Sequence, residues 1–330
     1  MSHNEDRRSF IKKGLTTAAG IGILSKTGAL TQAQKLAARI TGNTLPKRKL
    51  GKTGHNVSLL GLGGQATIQN PHKKDEAVEI INTAIDLGVN YIDTAATYGG
   101  YYGDEHRGAS ERNIGEVMKD RRDEVFLATK TNLPSHNATM ELIEKSLENL
   151  QTDHIDLYQL HSLATHSVLD AFLSSWGAAN AFDELKSQGV ISFTGVTGHW
   201  NPEVLKRAIE EYDFDCILMT LNAADVHYLP TQYDLLDAAV KRNLGIIVMK
   251  VAANGRIFRH GGIISMEQAL RYVWSFPVST AILGIHKIEE LEENVAIANN
   301  FKKYTKQQLY DLEQITAPHA ALLNSDKMPT

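Results

Sequence analysis

The chain has 330 residues, 42% of them hydrophobic and 22% charged, with a formal net charge of -4. This is ordinary globular composition, and the mixed charges, without a basic stripe or zinc-type Cys/His spacing, argue against nucleic acid as a partner. A single cysteine, Cys216 in CILMTL, cannot form an internal disulfide or supply an iron–sulfur cluster, and reads as a small buried strand residue.

At the N-terminus Arg7 and Arg8 lie in DRRSFIKKG, followed by the mildly apolar GLTTAAGIGIL. That stretch is shorter than the roughly 20 apolar residues needed to span a bilayer. A charged start, a short apolar middle and small residues before Gln34 read as an export signal. Arg-Arg-Ser-Phe-Ile-Lys resembles a twin-arginine signal, which marks proteins exported already folded. The expectation is a signal over 1–33, cleaved near Ala33, a linker over 34–46, and a periplasmic or otherwise exported protein delivered by the export machinery. The competing reading is a basic amphipathic helix on the body of the protein or on a membrane surface, with a cytoplasmic location as the alternative.

From about Lys47, short apolar runs alternate with helical stretches. The runs are VSLLGLG (57–63), NYID (90–93), VFLATK (125–130), IDLYQL (155–160), ISFTGVT (191–197), CILMTL (216–221), GIIVMK (245–250) and TAILGI (280–285). Most are β-branched and too short for helices, so they predict buried strands. Between them Ala77, Ile80, Ile81, Ala84 and Leu87 share one helical face, and Gly88 marks the stop. Similar faces run through 139–150, 202–211, 231–242 and 288–300. Parallel strands need such crossovers. Eight cycles therefore predict a closed (β/α)8 TIM barrel, one domain over 47–318 with a tail at 319–330. Thr53-Gly54-His55-Asn56 is placed to turn a short N-terminal hairpin capping the floor. A Gly/Tyr-rich insertion (98–108) and a long connection (163–177) both follow strand C-termini, where a barrel carries its active-site loops.

Asp93, Lys130 and His161 stand at strand C-termini or one residue beyond, and Tyr98 follows Asp93 in the next loop. Three consecutive strands would bring them to one mouth. A tyrosine acid needs its pKa of about 10 lowered to donate near neutrality, and an adjacent ammonium does this. Lys130 suits that part, Asp93 can hold Lys130, and His161 can orient a carbonyl oxygen. Singly, these residues also suit a helix cap, a surface charge, a packed aromatic and a core histidine. Together, all at strand ends, they define a candidate site.

DTAATYG (93–99), GASERNIGE (108–116), ATK (128–130) and DLYQLH (156–161) resemble the signature segments of aldo-keto reductases. LGKTGHNVSLLGLGG and AILGIHKIEELEENV resemble that family's first and last motifs, so the resemblance spans about residues 48–300. It implies a catalytic tetrad of Asp93, Tyr98, Lys130 and His161, with Tyr98 as general acid in carbonyl reduction. Tyr101 and Tyr102 are rival acids, but the Asp-x4-Tyr spacing selects Tyr98.

The resemblance also implies NADP(H), with NAD as the alternative, bound extended and without a Rossmann loop. The loops after the seventh and eighth strands would hold it, through Lys250, Asn254, Gly255 and Arg256, then Gly284, His286, Lys287, Glu290, Glu293 and Asn294. Lys287 and Arg256 would meet a 2′-phosphate. Gly63 would bring backbone close to the nicotinamide or turn the chain. Three positions depart from the family. Thr197-Gly198-His199 replaces a Ser-Asn carboxamide clamp, and an apolar residue in CILMTLN replaces a glutamine for which Asn222 could substitute. Lys250 replaces a stacking aromatic.

The implied function is an NADP(H)-dependent carbonyl reductase or alcohol dehydrogenase acting on a small-molecule carbonyl. The alternative is a cofactor-binding regulatory protein on the same barrel with little turnover. A metal-dependent isomerase is a further rival, but the strand ends carry no carboxylate/His cluster beyond Asp93 and His161. His166, Trp176, His199, Trp200, His227 and Tyr228 lie on connections and suggest a polar-aromatic pocket suited to sugars.

Overall fold

The computed structural model describes residues 45–100, 104–324 and Lys327. The expected signal over 1–33, most of the linker, and Tyr101 and Tyr102 lie outside the described residues.

Two short strands open the described chain, β1 (Lys47–Lys49) and β2 (Asn56–Ser58), paired antiparallel with Lys47 opposite Ser58. The hairpin is where the sequence predicts it, with a wider turn: Leu50 N–H donates to the His55 carbonyl at 2.8 Å. Leu50 is fully buried among Val57, Tyr91, Phe126, Leu157 and Leu218, so the hairpin closes the barrel floor with an apolar side chain. Burying a leucine stabilises by about 1.5–3 kcal/mol.

Eight parallel strands follow: β3 (Leu60–Ala66), β4 (Tyr91–Asp93), β5 (Phe126–Thr131), β6 (Ile155–Leu160), β7 (Ile191–Gly198), β8 (Cys216–Thr220), β9 (Gly245–Met249) and β10 (Thr280–Ile285). They close in chain order, with β10 returning to β3, as a (β/α)8 barrel. The apolar run 57–63 does not form one strand. It divides at Leu59, whose N–H donates to Pro46 and whose carbonyl accepts from Ala281, so the chain leaves the hairpin there and enters the barrel.

Between the strands lie helices α1 (Lys74–Asp86), α2 (Ala109–Arg121), α3 (His136–Leu150), α4 (His166–Leu173), α5 (Ala178–Ser187), α6 (Pro202–Glu211), α7 (Asp234–Lys241), α8 (Met266–Trp274) and α9 (Ile288–Asn299). Helix α1 buries Ala77, Ile80, Ile81 and Ala84, and the chain leaves it through Gly88 at φ 95°, a conformation glycine adopts without steric cost. Helix α6 starts where Asn201 accepts the Glu203 N–H, with Pro202 in the first position. The connection 163–177 holds a helix of its own, α4, because Thr165 caps it and Leu169 and Phe172 bury its inner face. After α10 (Lys306–Thr316) and the short α11 (Ala320–Leu323), the chain stays packed on the barrel beyond residue 318. Asn324 donates to the Ala224 carbonyl at 2.9 Å, and buried Lys327 pairs with buried Asp225 at 3.0 Å.

Strand alternation sorts the interior into layers. Tyr91, Phe126, Ala128 and Leu157 fill the apolar layer, together with Cys216. One or two steps further along the same strand faces come Asp93, Lys130 and Gln159, followed by His161 past the end of β6. The same periodicity that builds the core thus delivers polar side chains to the mouth.

Candidate active site

Asp93 and Lys130 are each 1% exposed and form an ion pair. Lys130 Nζ also donates to the Thr94 carbonyl at 2.7 Å, and Gln159 Nε2 donates to the second Asp93 oxygen at 3.1 Å. A buried charge is costly unless paired and hydrogen-bonded, and this pair is both. Burial pulls the Lys130 pKa down, but Asp93 and Tyr98 outweigh it and hold the ammonium charged.

Lys130 Nζ lies 5.2 Å from the centre of the Tyr98 ring, and the His161 ring meets Tyr98 edge-on at 5.8 Å. Burial raises the Tyr98 phenol above its usual value, and Lys130 pulls it only part of the way back. The sequence led us to expect a net lowering. The lysine acts in that direction, yet burial is the larger effect. Burial, then Lys130 and His199, push the His161 pKa down to about 3, so its imidazole is neutral at neutral pH. Its backbone N–H is fixed by the Thr131 carbonyl at 2.7 Å.

Helix α2 braces this cluster from behind. Ser110 Oγ donates to the Gly64 carbonyl at 2.6 Å and shares a hydrogen bond with Thr94 Oγ1 at 2.8 Å. Fully buried Glu111 accepts from Thr129 Oγ1 at 2.7 Å and from Asn149 Nδ2 at 3.1 Å. The segment 108–116 is therefore scaffolding that ties α2 to β3, β5 and α3. A Cβ at Gly64 would stand 2.6 Å from Ser110 Oγ, which explains a glycine there. Gly63 does not turn the chain. It lies in mid-strand, where a Cβ would come within 3.1 Å of the Leu283 carbonyl carbon in β10.

Two clefts meet at this mouth. One, of about 720 Å³, is lined by Tyr98 with Gln65, Gln69, Asn70, Arg107 and Asn132 among others. The second, of about 770 Å³, runs over the β9 and β10 ends, and Gln65, Ala66 and Gln69 belong to both walls. Of the residues expected to hold a cofactor, Lys250, Asn254, Gly255, Gly284, His286, Glu290, Glu293 and Asn294 line this second groove. A long groove joined to the proposed acid suits an extended dinucleotide with its reacting end at Tyr98.

The remaining expected cofactor residues are placed differently. Thr197 accepts the Ser162 N–H at 2.8 Å, and its carbonyl accepts from Leu163, so it fixes the β6 loop. Asn222 is buried, donating to the Lys250 carbonyl and accepting from Ala224 N–H. Lys287 is an exposed residue at the start of α9, and Arg256 donates to the Ala253 carbonyl. Neither is among the described residues that line the groove, which include Lys250. Among the pocket residues expected from sequence, His227 is held by Glu313 and Thr316 of α10, and Trp176 and Trp200 are 57% and 48% exposed. Gln65, Gln69, Asn70, Arg107 and Asn132 were not foreseen. Gln65 carried the only available signal, standing at the end of a strand. Among the described residues, no three His, Cys, Asp or Glu side chains cluster as a metal site.

Residues 59–261 match the model of the Aldo/keto reductase family. The chain is 29% identical over 312 residues to "Uncharacterized oxidoreductase YqkF" of Bacillus subtilis, covering 82% of this chain and 96% of that protein. It is 26% identical to L-galactose dehydrogenase of Arabidopsis thaliana, covering 82% and 94%. Among solved structures, the holo form of aldo-keto reductase AKR11C1 from Bacillus halodurans superposes with a TM-score of 0.69 at 25% identity, covering 82% and 96%.

Proposed function

The chain belongs to the aldo/keto reductase family, and from that premise we propose that it reduces carbonyl compounds with NADP(H), using Tyr98 as the proton donor. The observation that carries this reading is the buried Asp93–Lys130 pair set beside Tyr98 and His161 at the junction of the two clefts.

When bound, the nicotinamide supplies a hydride. Tyr98 gives its proton to the carbonyl oxygen, and the Lys130 ammonium stabilises the phenolate left behind. Asp93, held by Gln159, fixes that ammonium in place. Neutral His161 offers the carbonyl oxygen a hydrogen bond without adding a second positive charge. The nucleotide would lie along Lys250, Asn254, Gly284, Glu293 and Asn294. Two observations favour the phosphorylated form: Lys250 on the groove wall, and a Klebsiella pneumoniae aldo/keto reductase of the same fold (TM-score 0.65, 20% identity) that is described in complex with NADP.

Single-turnover NADPH oxidation with an uncharged aldehyde tests the acid. Tyr98→Phe should slow it by about 10²–10⁴ while NADPH affinity holds, because a donor is lost and little volume changes. Full activity in this variant would overturn the assignment, and turnover too slow for any aldehyde in the unaltered protein would favour the regulatory reading.

We also infer an exported location from the Arg7-Arg8 segment. Cell fractionation of the unaltered protein and an Arg7→Lys/Arg8→Lys variant tests it. Retention of the unaltered protein in the cytoplasm with its N-terminus intact removes the idea.

A further inference from the structure

The groove over β9 and β10 depends on backbone held in an uncommon shape. Lys250, on its wall, has φ 58°, a left-handed conformation that residues other than glycine keep only where the surroundings enforce it. Its carbonyl is gripped from two sides. The Ala253 N–H donates to it at 2.8 Å, and Asn222 Nδ2 donates to it at 3.1 Å. Asn222 follows β8 and is buried. Its side chain also donates to Asp225 Oδ1 at 3.3 Å and accepts the Ala224 N–H at 2.9 Å, while its backbone N–H donates to Asp225 Oδ2 at 2.9 Å. Both amide hydrogens of Asn222 are therefore used within the protein, which leaves none for a nicotinamide carboxamide. Behind Asn222, buried Asp225 pairs at 3.0 Å with Lys327, which lies 77 residues beyond Lys250 in the chain and is itself only 4% exposed. Lys327 Nζ also donates to the carbonyls of Tyr228 at 3.3 Å and Leu229 at 3.0 Å. Three oxygen partners match the three hydrogens of an ammonium.

We propose that Lys327 is a positioning residue for the cofactor: through Asp225 and Asn222 it holds the Lys250 backbone in the shape that receives the nucleotide. The proposal rests on the reading of this groove as the NADP(H) site. Three physical arguments support it. A buried carboxylate stays charged and fixed only while a cation and donors surround it, and Lys327 is the cation paired with Asp225. Both Asp225 oxygens accept from Asn222, so a fixed carboxylate fixes the carboxamide, and the carboxamide fixes the Lys250 carbonyl. Hydrogen bonds weaken steeply as their angle opens, so freeing Asp225 loosens each later link. Lys327 is not among the described residues lining either cleft, so its influence on the nucleotide must travel along this path.

The test uses the full chain and Lys327→Ala, whose small side chain lets water reach Asp225. Fluorescence titration should show the Kd for NADPH raised about five- to tenfold, the size of effect that coupled hydrogen-bond networks carry. In turnover the loss should fall on KM for NADPH rather than on kcat. Asn222→Ala should weaken NADPH by a similar factor, and adding Lys327→Ala to it should give little further loss, because both cut one path. Hydrogen exchange of the nucleotide-free protein gives a reading that needs no cofactor. The Ala253 amide, which donates to the Lys250 carbonyl, should exchange faster in both variants. Should Lys327→Ala not fold, the neutral pair Asp225→Asn/Lys327→Met carries the same test without a lone buried charge. An amide at 225 offers one acceptor oxygen where the carboxylate offers two, so Kd and Ala253 exchange should still rise. Either an unchanged Kd or unchanged Ala253 exchange in the folded variants would overturn the proposal. So would losses that simply add in Asn222→Ala/Lys327→Ala, since separate sites add. Failure of the groove reading looks different: the unaltered chain would bind no NADPH, and that result overturns both.

Discussion

On the β4–β6 side of the mouth, Asp93, Lys130 and His161 stand at strand ends or one residue past them, and a buried ion pair fixes their geometry. On the β9–β10 side the groove is built from strand ends, the first turns of helices and the loop that follows β9. There Lys250 (φ 58°), Ala253 (φ 46°) and Asn254 (φ 56°) hold left-handed conformations that are uncommon outside glycine. The first side is specified by strand alternation and by the cost of leaving a charge alone in the core. The second is specified by backbone shape, with side chains such as Lys250 and Asn254 bonded to each other at 2.9 Å. Stability and proton transfer should therefore depend on the first side, and nucleotide affinity on the second.

The largest effect expected is on folding. Lys130→Met leaves Asp93 buried without its partner and should cost about 3–5 kcal/mol in urea unfolding. A double variant with Asp93→Leu should recover part of that loss. A Lys130→Met protein as stable as the original would show that the pair is not what holds this side together.

Lys250→Gln tests the other side. It should weaken NADP(H) binding about tenfold to a hundredfold, the loss of one charge-assisted contact of roughly 1.5–3 kcal/mol, with little change in unfolding midpoint. Fluorescence titration reads the affinity. If NADP(H) and NAD(H) bind alike before and after substitution, Lys250 has no part in choosing the nucleotide.

Taken per pH unit, the smallest expected effect is on acid stability. His161 has a folded pKa of about 3, below its unfolded value near 6.5, so between those limits the unfolded chain binds more protons. Stability must then fall as pH drops from about 6.5 towards 3, by at most about 1.4 kcal/mol per unit from this residue. The slope should be shallower in His161→Asn. Urea midpoints at several pH values check it, and identical slopes would mean that His161 titrates normally.

Much of this was legible in the sequence. Seven of the eight barrel strands, from NYID to TAILGI, fall within two residues of their apolar runs, because a buried parallel strand is apolar on both faces. The first run hid the passage from hairpin to barrel at Leu59, which hydropathy does not mark. Asp93, Lys130 and His161 could be placed because three consecutive apolar runs each end on or beside a polar residue of the right type, a pattern that none of them carries singly. Arg107, Gln69 and Asn132 could not be placed, since loop polar residues look alike until the backbone is traced. Lys287 and Arg256 show the converse: charge near the expected site that is not among the described residues lining the groove.

The groove lies across the seam where the barrel closes. Its walls take Gln65 and Ala66 from β3, the first barrel strand, and Ile282, Leu283 and Gly284 from β10, the last, at the point where their register slips between Gly284 and Ile285. A chain that has not yet joined these two strands has half a binding surface on each of two distant segments and no site at all. A nucleotide in the groove therefore acts as a staple between the ends of the sheet. It adds stability in proportion to the logarithm of its concentration over Kd and opposes any opening that begins by parting β3 from β10. Protease nicking of the seam should be slowed by the nucleotide well before any carbonyl is present.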